Sequence, residues 1–215
     1  MSRAAPPQTI DVLPLSVRAA IASVDETART VDLIFSTGAA VQRYDWLTGK
    51  RYLEQLLITP KAVRLDRLNA AGPLLDTHSA DSVFSQLGAV VEGTARIEHG
   101  QGRVTVVFSK RDTVTPIWND IVCDPPIIRS VSMGYRVYAF EETIGTDGTG
   151  AIPTRTATDW EPYELSMVPM PADIGAKVRD GDKGNTNPCV IVTRASSARL
   201  DADRLRRFRL AAAQA

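Results

Sequence analysis

The 215-residue chain contains two imidazoles, His78 and His99, and that scarcity frames any nucleophilic chemistry it could perform. A serine hydroxyl attacks a carbonyl at neutral pH when a base takes its proton, and histidine is the usual base because its unperturbed pKa lies near ~6.5. His99 sits in EHGQG between two apolar runs, where the glycines signal a tight reversal, so it reads as an exposed turn residue. His78 lies in GPLLDTHSADS, after two leucines that anchor the segment and inside a polar stretch able to line a cleft. In RSVSMGYRV, Val131, Met133, Tyr135 and Val137 alternate with Ser130, Ser132, Gly134 and Arg136, so two hydroxyls share a face with a residue that has no side chain. In EPYELSMVPMPA, Glu164 shares a side with Ser166 and Val168, and a carboxylate there could orient an imidazole. Asp76 and Asp81, flanking His78, are alternative partners. Plain alternation also produces a solvated polar face, so these residues alone leave both a serine hydrolase site and a structural polar surface open.

Other chemistries lack their motifs. There is no HExxH, no Cys-x-x-Cys pair, no GxxxxGK[ST] phosphate loop and no GxGxxG between a strand and a helix, so no metal or cofactor is expected. The GTDGTG run lies between two strand-like segments and reads as a hairpin loop. Cys123 and Cys189 are too few for a disulfide framework, Cys123 reads as a small buried residue, and Trp46, Trp118 and Trp160 read as packing residues. The prolines of MSRAAPPQTIDVLPLSV interrupt any signal-peptide core, and no apolar run approaches the ~18 residues of a membrane span, so a cytosolic setting without membrane contact is expected.

Lys and Arg total 25 and Asp and Glu total 25, which argues against a wholesale nucleic-acid binder. The balance hides a division: residues 1–175 hold 16 basic and 21 acidic side chains, and residues 176–215 hold 9 and 4.

The elements that must position these residues are mainly strands. LSVRAAIASVD and TVDLIFS form an expected hairpin, and LGAVVEGTARIEHGQGRVTVVFS reads as strand, strand, turn and strand. IIRSVSMGYRVYAF and TRTATDWEPYELSMV give two long strands around the glycine-rich loop. Thr59, Pro60 and Gly72 bracket a helix at about 60–70, and 112–123 gives a second that DPP closes. The expected class is mainly β with a few short helices (α+β), and the closely spaced strands favour a barrel or sandwich over a doubly wound sheet. The expected division is a flexible arm over 1–14, a β domain over 15–180, and a linker with a basic helical tail over 181–215.

The order LLxxH, SxGY and WxPxELSxVxxPA, carried by Leu74, Leu75 and His78, by Ser132, Gly134 and Tyr135, and by Trp160, Pro162, Glu164, Leu165, Ser166, Val168, Pro171 and Ala172, resembles the caudovirus prohead serine proteases of the type found in phage HK97. The resemblance covers about residues 15–180. It implies a closed or partly closed β-barrel similar to the herpesvirus assemblin fold, with His78 as base and Ser132 as nucleophile. Assemblin-type enzymes use a second histidine as third member; with His99 in a turn, Glu164 is the preferred orienting group.

On this reading the chain is a serine endopeptidase that cleaves the major capsid protein precursor and/or internal scaffold, with self-cleavage expected, during phage prohead maturation. It would work without a cofactor inside the procapsid in the host cytoplasm, with capsid protein and scaffold as peptide substrates, no specific nucleic acid, and a possible homo-oligomer. The alternative is a non-enzymatic β-barrel head-assembly or scaffold component, in which Ser132 and His78 have structural roles. A small-ester hydrolase is a further rival.

Overall fold

A computed structural model of the chain describes residues 8–12, 15–45, 48–144, 152–169 and 187–195, with side chains at 21–45, 48–143, 152–169 and 188–192. Among the described residues twelve strands join one mixed sheet, with two short α-helices. The mainly β class with few helices is what the alternation implied.

The expected hairpin forms: β2 (Leu15–Asp25) pairs antiparallel with β3 (Thr30–Ser36). Next along the sheet come β9 (Gln101–Phe108), β7 (Gln86–Val90) and β6 (Pro73–Asp76), each antiparallel to its neighbour. β6 lies parallel to the end of β11 (Thr154–Met167), which runs antiparallel along β10 (Ser130–Ile144), and β10 pairs antiparallel with β2. β8 (Arg96–Glu98) joins β9 through a two-residue turn at His99 and Gly100, both left-handed at φ 51° and 71°, so His99 is the exposed turn residue expected.

The buried residues of β3, β9 and β10 alternate as a half-buried pleat requires: Val31, Leu33 and Phe35; Val104, Val106 and Phe108; Val131, Met133, Tyr135 and Val137. They form one core with Leu68, Trp160 and Ile121. Trp160 packs edge-on to Tyr135 at 5.9 Å and donates its indole N–H to the Leu57 carbonyl at 3.1 Å, while Trp118 lies 5.4 Å from Phe108. Both serve as packing residues; Trp46 lies outside the described residues.

Several local expectations need correction. The helix expected at 60–70 is a single turn, α1 (Asp66–Asn69). Thr59 caps nothing there; its carbonyl accepts from the Ala62 and Val63 amides, and Val63 bridges to Trp160, so strand contact replaces the first helical turn. The second helix is α2 (Thr115–Val122), inside the expected 112–123. Four strands were not expected from the sequence. β4 (Val41–Asp45) and β5 (Lys50–Leu56) form an antiparallel pair that adds to β11. β1 (Gln8–Val12), within the expected arm, pairs with β12 (Asn187–Ala195), within the expected linker and tail, and β12 runs parallel to β10. Cys123 is half-buried rather than buried, whereas burial pushes the Cys189 thiol up to about 12. The GTDGTG loop and the arginine-rich segment after residue 195 lie outside the described residues.

Candidate functional site

β6 ends beside β11, with Asp76 opposite Met167, and the chain then reverses at Thr77 and His78. Both residues are left-handed, at φ 47° and 62°, and the Ser79 amide donates to the Asp76 carbonyl at 2.8 Å. A β-branched threonine adopts that conformation only when surrounding contacts impose it. Here the Thr77 amide donates to the Met167 carbonyl at 3.0 Å, and the His78 amide donates to Ser166 Oγ at 3.1 Å.

The reversal delivers His78 to Glu164, with Nδ1 and Oε1 2.7 Å apart. The second carboxylate oxygen accepts from Ser166 Oγ at 2.7 Å, so one serine hydroxyl receives the backbone of the histidine and donates to its carboxylate partner. Glu164 and Ser166 are buried, and the His78 side chain keeps 36% of its surface exposed. A buried carboxylate requires this many partners, because an unsatisfied one costs several kcal/mol, of order ~1–3 or more.

Ser132 stands opposite Ser166 in the β10–β11 register and is 1% exposed; Gly134 stands opposite Glu164. After Gly134 the register slips, with Tyr135 opposite Pro162, which makes Tyr163 an extra residue on β11. The bulge turns Tyr163 and Glu164 toward the same side of β10, and both approach the space where a Cβ on Gly134 would be. His78, Glu164 and Ser166 thus form one hydrogen-bonded cluster, and Ser132 stands next to it on β10, opposite Ser166. Asp76 and Asp81 are exposed, and it is Glu164 that bonds His78. His99 is on the β8–β9 turn.

A second polar cluster has no counterpart in the sequence reading. Glu54 of β5 is buried at 2% exposure, with Arg43 Nε at 3.4 Å, the Tyr135 hydroxyl bonded to the same oxygen, and its other oxygen without a partner. Burial pushes the Glu54 carboxyl up and Arg43 pulls it back. Arg43 also donates to the Tyr135 hydroxyl at 3.1 Å, and burial beside Glu54 drives that phenol well above its usual range. Arg155 extends the network to Glu142 at 2.7 Å and Asp45 at 3.0 Å and lies over the Tyr52 ring. The available signal was Arg43 in VQRYD and Glu54 in KRYLEQL, which pair with each other rather than with water.

Over 112 residues the chain is 34% identical to the major capsid protein of Halomonas phage phiHAP-1. The relative is a phage capsid protein. The match takes in 52% of this chain and 18% of that protein, so the chain spans less than a fifth of the length of the curated relative it matches. No family model and no solved structure matches the chain.

This comparison overturns the resemblance to the prohead serine proteases. The chain matches a protein named for the capsid and not for proteolysis, and the readings as hydrolase, serine endopeptidase and capsid-processing enzyme are withdrawn with it. The phage and capsid context of the earlier reading agrees with the match. Among the described residues no helix is long and apolar enough to cross a membrane.

Proposed function

We propose that the chain is a non-enzymatic component of a phage head, a β-structured module that acts through shape and contact during shell assembly. The observation that carries this reading is the 34% identity over 112 residues to a phage major capsid protein. Its partners would be the coat subunits of the same head and further copies of itself, and its place would be within or as part of the capsid. The assembling unit would be the expected 15–180 body extended by β1 and β12, which pair with each other and with β10.

The strand pairings support a closed barrel as the framework of that module. From β10 they pass through β2, β3, β9, β7, β6 and β11 and return to β10, so each of these seven strands has a partner on both sides. Closure removes the exposed edges through which a sheet aggregates. His78, Ser132, Glu164 and Ser166 then serve as a polar pin where the short strand β6 meets the long β10–β11 pair, a junction with three paired residues.

The test is co-expression with the coat protein of the same genome, followed by sedimentation of the particles. The chain should travel with particles at a constant ratio, and Ser132→Ala should leave both its incorporation and the mass of the coat protein unchanged. A chain that stays with free protein, or a coat protein whose mass depends on Ser132, would overturn the reading.

A further inference from the structure

Where the β10–β11 hairpin runs on beyond the ring, the pairings continue as an open sheet in the order β4-β5-β11-β10-β12-β1. Among the described residues β4 has one strand neighbour, β5, and β1 has one, β12, so these two strands are the edges of the sheet. Each is five residues long. They also run in opposite directions. β4 is antiparallel to β5, β5 parallel to β11, β11 antiparallel to β10, β10 parallel to β12, and β12 antiparallel to β1. A sheet edge presents a row of N–H and C=O groups along which a further strand can pair. In one rung of this sheet Leu56, Ala157, Phe140 and Ile191 are all buried, which fixes its inner face. Tyr44, opposite Arg51, and Val190, opposite Thr9, belong to the alternate positions, and both are exposed. Each edge thus has an exposed apolar residue on it or one strand in from it, on the same outer face.

We propose that β4 of one copy of the chain pairs antiparallel with β1 of a second copy, so that the sheet continues from chain to chain. Because the two edges already run oppositely, copies facing the same way meet in the antiparallel sense. In full overlap Gln42 stands opposite Asp11 of the second copy, Arg43 opposite Ile10, and Tyr44 opposite Thr9, in the rung that also holds Val190. Tyr44 and Val190 then fall on one row and shield each other from water. Charge favours this mixed pairing over the two like ones. Two β4 strands in full overlap set Arg43 opposite Arg43, and two β1 strands set Asp11 diagonal to Asp11, whereas β4 against β1 opposes no like charges. A head-to-tail contact joins more than two copies, and a rotation that closes makes it a ring. It supplies the copy-to-copy surface of the head-assembly reading and to that extent rests on it.

The test uses the full chain alone in solution. Sedimentation velocity at rising concentration should show species larger than a dimer. Tyr44→Lys and Val190→Lys, which put a charge on exposed positions at the two edges, should each weaken that association about tenfold with unchanged unfolding midpoints. In a Cys123→Ser background, Gln42→Cys and Asp11→Cys are made as separate chains, mixed and oxidised. Directly opposed positions have Cβ atoms about 4.5–5.5 Å apart, close enough for a disulfide after a small shift, so the mixed dimer should be the main product. A chain that stays monomeric up to about 1 mM, either homodimer as the main product, or lysine variants that associate like the parent would each overturn the pairing. A chain that is monomeric alone yet travels with particles at a constant ratio would overturn the pairing and leave the head-assembly reading standing.

Discussion

The Glu164 carboxylate occupies the space above Gly134: a Cβ at position 134 would collide with Oε1, the atom that bonds His78, and crowd the Tyr163 ring. The glycine of SMGY is therefore a steric requirement of the His78–Glu164 pair rather than a flexible joint. Gly134→Ala must displace a buried carboxylate from a paired strand, and overpacking of this kind costs about 1–3 kcal/mol. Denaturant unfolding should show that loss, and the His78 ring resonances should shift as the contact to Glu164 breaks. An alanine variant of unchanged stability with unchanged His78 resonances would show that Glu164 has another place to go.

Arg43 and Glu54 make a different prediction, because their energetics turn on desolvation. The Glu54 side chain keeps 2% of its surface and Arg43 keeps 14%, so removing one partner leaves the other with little water to replace it. Glu54→Ala removes the carboxylate that Arg43 and the Tyr135 hydroxyl share, and breaking a buried pair in this way costs about 3–5 kcal/mol. Replacing both, as Arg43→Met with Glu54→Leu, should recover more than half of that loss, since an apolar pair of similar volume carries no desolvation penalty. A double variant as unstable as Glu54→Ala alone would mean that packing, not charge, dominates the site.

These two clusters also show where the sequence was informative. The strands read correctly are those whose buried face is apolar: Val31, Leu33 and Phe35 announce β3, and Val131, Met133, Tyr135 and Val137 announce β10. β4 and β5 went unread because their inward positions include Arg43 and Glu54, which invert the rule that polar residues face water. β12 begins Asn-Pro and gains its identity from lying parallel to β10, a partner more than 40 residues away along the chain that no local pattern reveals. The helix signals at Thr59 and Pro60 were genuine turn signals, but Val63 is taken by Trp160 before a helix can start. The pairing of His78 with Glu164 was legible because the sequence offers two histidines and one of them lies in a turn. The Ser166 hydroxyl that ties them together was not, because its role arises from the left-handed turn at Thr77 and His78.

On the outer face of β3, Asp32 is held below the ordinary carboxylate value of 3.8, chiefly by the Thr105 hydroxyl at 2.6 Å and then by the Ser23 hydroxyl at 2.9 Å. A depressed folded-state value means that the unfolded chain binds the proton more readily. The contribution is therefore complete above 3.8 and disappears as pH falls through the lower folded value. Asp32 is exposed, so solvent screens the effect and the change is small. Asp32→Asn should be slightly less stable than the parent near neutral pH and indistinguishable from it at the acid end, as followed by unfolding midpoints across the acid limb. A difference that grows toward low pH would reverse the sign and exclude these hydroxyl bonds as its origin.

The turn that presents His78 places a threonine where glycine would sit without strain. Thr77 has φ 47° and its side chain is exposed, while its amide is bonded to the Met167 carbonyl. A left-handed conformation costs an L-residue with a Cβ about 1–2 kcal/mol, and a glycine costs less here but gives back part of the difference through its larger unfolded-state entropy. Thr77→Gly keeps the amide, and hence the bond to Met167, and removes only the Cβ. It should leave the His78–Glu164 contact in place and change stability between zero and a gain of about 1 kcal/mol, read from denaturant unfolding together with the His78 ring resonances. If the variant instead loses stability and the His78 resonances broaden, the threonine side chain itself holds the turn, and the strain is offset locally rather than by the amide bonds to Met167 and Ser166.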